Sequence, residues 1–163
     1  MPDALAIAIE YAAKGLALFN AAIFVDSLRY KFTNHPKTRE IFGRLDAWAG
    51  SLGARGLFAR TGLFNQYVIG AAELVASGLL LVGAFHPPYR FLLPLGTLMG
   101  LAVMSGAIGF HLFTPLGVDP NKDGGGLFRA ACLVWLFSLA LLFARAGDLD
   151  LLARRVAAFL APA

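Results

Sequence analysis

Residues 64–84 read "FNQYVIGAAELVASGLLLVGA", and Glu73 is the only charged side chain among them. At ~1.5 Å per helical residue such a stretch is about 30 Å long, the thickness of a bilayer's hydrocarbon core. The surrounding sequence has the same character. The 163 residues are 58% hydrophobic and 15% charged, with a mean hydropathy of +0.68. A soluble domain carries about 25% charged residues, so this chain cannot cover itself with water-facing groups. Its apolar residues also fall in long blocks rather than alternating with charge.

Three further blocks complete the pattern, at about 4–28, 90–113 and 127–145. The fold expected is therefore all-α, a four-transmembrane-helix bundle forming one integral membrane domain over 1–163. The first block is the least apolar, because it contains Glu10, Lys14, Asn20 and Asp26. Glu10 and Lys14 are four apart and can pair along one helix face. With no basic leader and those two charges in its middle, this block reads as a retained helix rather than a signal peptide. Between the first two spans, 33–60 forms an interfacial or re-entrant helical segment. Ile41, Leu45 and Trp48 there recur at helical spacing with basic residues between them. Residues 148–160 form an amphipathic C-terminal tail able to lie on a membrane surface.

Seven of the 14 Lys and Arg lie between Arg29 and Arg60, directly beside apolar spans. That placement favours a membrane surface over a nucleic acid as their partner. The loops on the face of the first and third connections hold nine Lys and Arg, and the opposite face holds five. The positive-inside rule then places the first face in the cytoplasm and both termini outside. A single cysteine, Cys132, excludes an internal disulfide and a CxxC redox pair, and its expected role is packing in the fourth span.

Polar residues converge on the face of the first and third connections. Gln66, Gly70, Glu73 and Ser77 form one stripe on the second span. Thr97, Gly100, Met104, Ala107 and His111 form another on the third. Asp26 and Lys31 close the first span, while Thr114 and the run Asp123-Gly124-Gly125-Gly126 lead into the fourth. These elements outline a polar pocket, with Glu73 and His111 as candidate catalytic groups. Asp26, Lys31, Gln66, Met104, Thr114, Gly124 and Gly125 are the candidate ligand-binding residues.

Each has a plainer reading. A carboxylate at mid-membrane costs roughly 2.5–3.5 kcal/mol on insertion scales, which points to function. An ion pair with Lys31 or Arg29 would also offset that cost. His111 at a span end can cap the helix, and the glycines can serve a tight turn as well as an anion. Asp26 is three residues from Arg29, the spacing of an interfacial salt bridge. His35 and His86 read as solvated loop residues. No spacing of His, Cys, Asp or Glu makes a metal site, and no nucleophile triad, phosphate loop or dinucleotide fingerprint is present.

Three stretches, "YKFTNHPKTREIF" (30–42), "GAAELVASGLLLVG" (70–83) and "HLFTPLGVDPNKDGGGLF" (111–128), resemble the DoxX/DoxD-like family of small four-helix membrane proteins. In that resemblance Lys31-Phe32 matches a lysine–aromatic pair after the first helix. Glu73 matches an acidic residue of the second helix, and His111 a histidine near the end of the third. "FVDSLRYKF" (24–32) departs from the glycine-rich approach usual before the lysine. The resemblance implies a redox-linked membrane subunit binding a quinone-like ligand beside a redox partner protein, in a bacterial inner membrane. The alternative it implies is a non-enzymatic accessory, chaperone or small-solute transport protein using the same groove. Self-association as a homo-oligomer is compatible with either.

Overall fold

The computed structural model describes residues 4–161. Among them are six α-helices: α1 Ala4–Phe32, α2 Pro36–Ser51, α3 Gln66–Phe85, α4 Leu92–Phe113, α5 Gly126–Ala144 and α6 Ala146–Leu160. A short 3-10 turn, Pro87–Tyr89, joins α3 to α4, and the described residues include no strand. Helices α1, α3, α4 and α5 are each long and apolar enough to cross a membrane. The chain is thus an all-helical, membrane-type bundle with four candidate spans.

Local chemistry sets the ends. The side-chain oxygen of Asn65 accepts hydrogen bonds from the backbone N–H groups of Tyr67 (2.7 Å) and Val68 (3.0 Å). That cap starts α3 at Gln66. Helix α1 runs on to Phe32, past the end expected at residue 28, and Asn34 then breaks it at φ 54°. The extra turn carries Arg29 and Lys31 on the helix rather than in a loop. Lys31 therefore sits one turn beyond Ser27 on the same face.

Helix α3 packs against α1 and α4, and α5 packs against the same two, so the four spans stand at the corners of a square. The α3–α4 contact depends on missing side chains. A Cβ at Gly96 would lie 2.8 Å from the Leu80 nitrogen and 3.0 Å from the Ala76 carbonyl oxygen. Only glycine allows the backbones to come that close. Ala13, Ala17, Phe24, Ala76, Leu80, Val134 and Leu141 fill the space between the helices.

The segment 33–60 is helical only over Pro36–Ser51, and a chain of turns then leads to Asn65. The expected stripe of α2 is present, but protein covers it. Leu45 and Ala49 are buried with Phe58 and Leu116, and Ile41 and Trp48 pack against that cluster. Phe58 meets Phe110 of α4 edge-on at 5.1 Å. A small second core thus closes the end of the bundle. At the opposite end the 148–160 tail is α6, resting on α4 and α5.

Candidate functional site

Glu73 lies in the middle of the buried stripe of α3, together with Gln66, Gly70 and Ser77. Its carboxylate is paired. The Lys31 ammonium donates to both oxygens, at 3.0 Å and 2.9 Å, and to the Ser27 hydroxyl at 3.1 Å. Ser27 in turn donates to Glu73. The Glu73 side chain is 4% exposed and that of Lys31 16%. The lysine is therefore the more exposed partner of the pair.

Gly70 makes this pairing feasible. A Cβ there would meet the Cβ and Cδ of Lys31 at 3.4 Å and the Phe32 ring at 3.3 Å. The lysine stem lies along the bare backbone of α3 and delivers its charge one turn deeper, at Glu73. Above it, Gln66 donates from Nε2 to the Lys31 carbonyl (2.9 Å) and to Asn34 Oδ1 (3.1 Å). That bond ties the end of α1 to the start of α3 and satisfies a carbonyl that the helix leaves open. An ion pair was the plainer alternative for Glu73 at the level of sequence. The structure builds that pair, with Lys31 rather than Arg29.

The other candidates have separate partners. Asp26 is exposed and pairs with Arg29 at 3.0 Å, away from the carboxylate of Glu73. Met104 is buried in the apolar core. His111 is buried, bonds the Gly117 carbonyl through Nδ1 at 2.6 Å and lies edge-on to Phe128 at 5.6 Å. A carbonyl can only accept, so Nδ1 carries a proton and Nε2 is the ring's acceptor when the imidazole is neutral. Thr114 donates to the Phe110 carbonyl (2.6 Å) and accepts from the Leu116 N–H (3.2 Å), capping α4.

The glycine run forms a tight turn, one of the two readings open to it from sequence. Asp119 accepts from the N–H groups of Asp123 (2.9 Å) and Gly124 (3.2 Å), and Asp123 accepts from that of Gly126 (3.0 Å). The loop's own carboxylates already occupy those donors. Gly124 and Gly125 are needed for their backbone angles, φ 78° and 75°. The backbone hydrogen bonds from Gly125 and its neighbours hold the Asp119 carboxyl below its usual range.

Two features of the structure lie outside the sequence-based expectations. A cleft of about 290 Å³ opens between α2, the turns after it and the start of α3, and of the expected residues only Gln66 lines it. The second feature lies at the far end of the bundle. There Asp148 is held by Arg90 Nε (2.6 Å) and Arg145 Nε (2.8 Å), and Arg145 also reaches Glu10, which pairs with Lys14 at 3.1 Å. The i,i+4 spacing exposed the last of these pairs. Arg145 and Asp148 are also only three apart, whereas Arg90–Asp148 and Arg145–Glu10 join residues 58 and 135 positions apart and carry no local signal. Among the described residues no group of three or more His, Cys, Asp or Glu could hold a metal ion. No family model, curated protein or solved structure matches the chain.

Proposed function

We propose that the chain is a DoxX-like membrane subunit whose Lys31–Glu73 pair receives the polar head of a quinone-like molecule. The observation that carries this reading is the pair itself: a carboxylate closed off within a span, bonded to a lysine at the end of α1 that is the more exposed of the two. Intramembrane ionisable groups mark proton or ligand paths more often than they stabilise a bundle. The Lys31 ammonium can donate to a quinone carbonyl while Glu73 balances its charge. Reduction of a quinone to a quinol takes two electrons and two protons. The protons come from the aqueous side through this pair. The electrons come from a redox partner protein, because none of these side chains is an electron carrier. A bacterial inner membrane is the setting that this reading implies.

The test is retention and binding. Lipid-soluble material kept by the detergent-purified protein is identified by mass spectrometry, and decylubiquinone is titrated into wild type and Glu73→Gln. Retained quinone and at least tenfold weaker binding by the variant are expected. Equal binding by the two proteins overturns the assignment. One observation favours a second reading, a non-enzymatic accessory or transport protein. The Nδ1 of His111 is committed to the Gly117 carbonyl, which suits a structural cap. On that reading Glu73→Gln lowers stability and no quinone is retained.

A further inference from the structure

Lys14, Arg29, Lys31, Arg90 and Arg145 all have carboxylate partners within 4.0 Å. Arg39 and Arg60 form no salt bridge among the described residues, yet both line the same 290 Å³ cleft, from two different segments. Arg39 belongs to the first turns of α2, and Arg60 to the turns before α3. Arg60 is held over the Tyr67 ring at 5.8 Å, so its guanidinium is placed rather than loose. Asn34 and Gln66 supply the polar wall between them. The Asn34 amide oxygen accepts from Gln66, which orients the side chain along the lining. Phe42 and Phe58 form the apolar part of the lining.

We propose that this cleft binds a phosphate group, held between the guanidinium groups of Arg39 and Arg60. Guanidinium presents paired N–H donors that match phosphate oxygens, and two of them facing one cavity form a clamp. Asp46 is the one carboxylate on the lining and opposes an anion. Its Oδ1 is directed to the backbone N–H groups of Gly56 (3.0 Å) and Phe58 (3.1 Å), which it holds in place as the far wall. Two cations against one engaged carboxylate leave the cleft positive. Residues 29–60 as a whole carry seven Lys and Arg against Glu40 and Asp46. The volume is at the small end for ligand pockets, about 300–1,000 Å³, and suits a headgroup rather than a whole cofactor. Gln66, the first residue of a membrane-type helix, sets the level of the cleft at the end of the spans, where lipid phosphates lie.

Phosphate reaches that level either on a lipid headgroup or free in solution, and calorimetry of the full chain in detergent separates the two. The probes are dihexanoyl-phosphatidylglycerol, dihexanoylglycerol and inorganic phosphate. The phospholipid should bind and the phosphate-free diglyceride should not. Arg39→Gln and Arg60→Gln should each weaken the phospholipid about tenfold, the effect expected for one charge-assisted contact. Arg60→Lys, which keeps the charge and fold but loses the fork, should fall between wild type and Arg60→Gln. Lys37→Gln, on the same surface but outside the lining, should bind like wild type. If inorganic phosphate matches the phospholipid, the cleft serves a soluble phosphate; if only the phospholipid binds, it serves a headgroup. Equal binding of the diglyceride, equal loss in Lys37→Gln, or no binding of either phosphate probe overturns the proposal.

Discussion

Two buried carboxylates, at opposite ends of the same bundle, meet cations in different ways. Glu73 has one lysine and one serine, all from α1 and α3. Asp148 has two arginines, and one of them continues to Glu10, so that α1, the approach to α4, the end of α5 and the start of α6 are joined. Asp148 is the more deeply buried of the two, its side chain 1% exposed against 4% for Glu73. Burial therefore does not set the two apart. The partners differ: planar guanidinium forks hold Asp148 from two sides, whereas Glu73 is held by a single flexible ammonium, which can turn to another acceptor. Desolvation opposes the charge on Arg145, yet Asp148 and Glu10 together hold its proton more firmly than usual.

Unequal partners should give unequal costs. Asp148→Asn leaves both Arg90 and Arg145 without their shared anion; because Arg90 is half exposed and Arg145 keeps Glu10, the cost lies at or below the lower end of the about 3–5 kcal/mol for breaking a buried pair. Denaturant titration in detergent should show this as the largest loss of the set. Glu73→Gln should cost less, about 1–3 kcal/mol, because one flexible ammonium loses its anion rather than two guanidinium groups. Its larger effect should be on decylubiquinone binding. An equal or greater stability loss for Glu73→Gln would erase the difference between the two ends.

Gly70→Val sharpens the same point without touching a charge. The added side chain enters the space of the Lys31 stem, and overpacking of this kind costs about 1–3 kcal/mol. The variant should reproduce the ligand defect of Glu73→Gln, since the ammonium no longer reaches its partner. Normal ligand binding would show that Gly70 serves only helix packing.

Asp119 should give the smallest effect. Its folded pKa lies below the ordinary aspartate value of 3.8, so its contribution is present above that value and is lost as pH falls through the lowered folded pKa. Protection of the 119–126 amides, taken relative to their intrinsic exchange rate at each pH, should hold at neutral pH and be lost only under strong acid. Asp119→Asn should remove that protection at neutral pH while leaving the melting temperature close to wild type. Protection that persists under strong acid would show that the carboxylate does not hold the loop.

The spans were legible because hydrophobic length is a property of consecutive residues. The stripes of α3 and α4 followed from helical spacing and are buried in the structure apart from Ala107, which is half-buried. The first span's true end was hidden by Arg29 and Lys31. Hydropathy counts them against a membrane helix, although helical geometry is what carries Lys31 to Glu73. The glycine run stayed open between a turn and an anion site for a different reason. Sequence shows free backbone donors but not that Asp119, five residues earlier, turns back to fill them. The arginine cleft was illegible because Arg39 and Arg60 become neighbours only when the turns after α2 fold onto it.

Whether the Lys31–Glu73 pair binds a ligand or merely joins two helices is settled most directly by a double-mutant cycle. Lys31→Met and Glu73→Leu are made singly and together, with stability and decylubiquinone affinity both measured for each protein. Each single variant leaves one group buried without its partner, and the double variant replaces the pair by apolar side chains of similar size. Such replacement is often neutral or stabilising. The double variant should regain wild-type stability and still fail to bind. Wild-type affinity in the double variant, with the pair gone, would contradict a ligand-binding role.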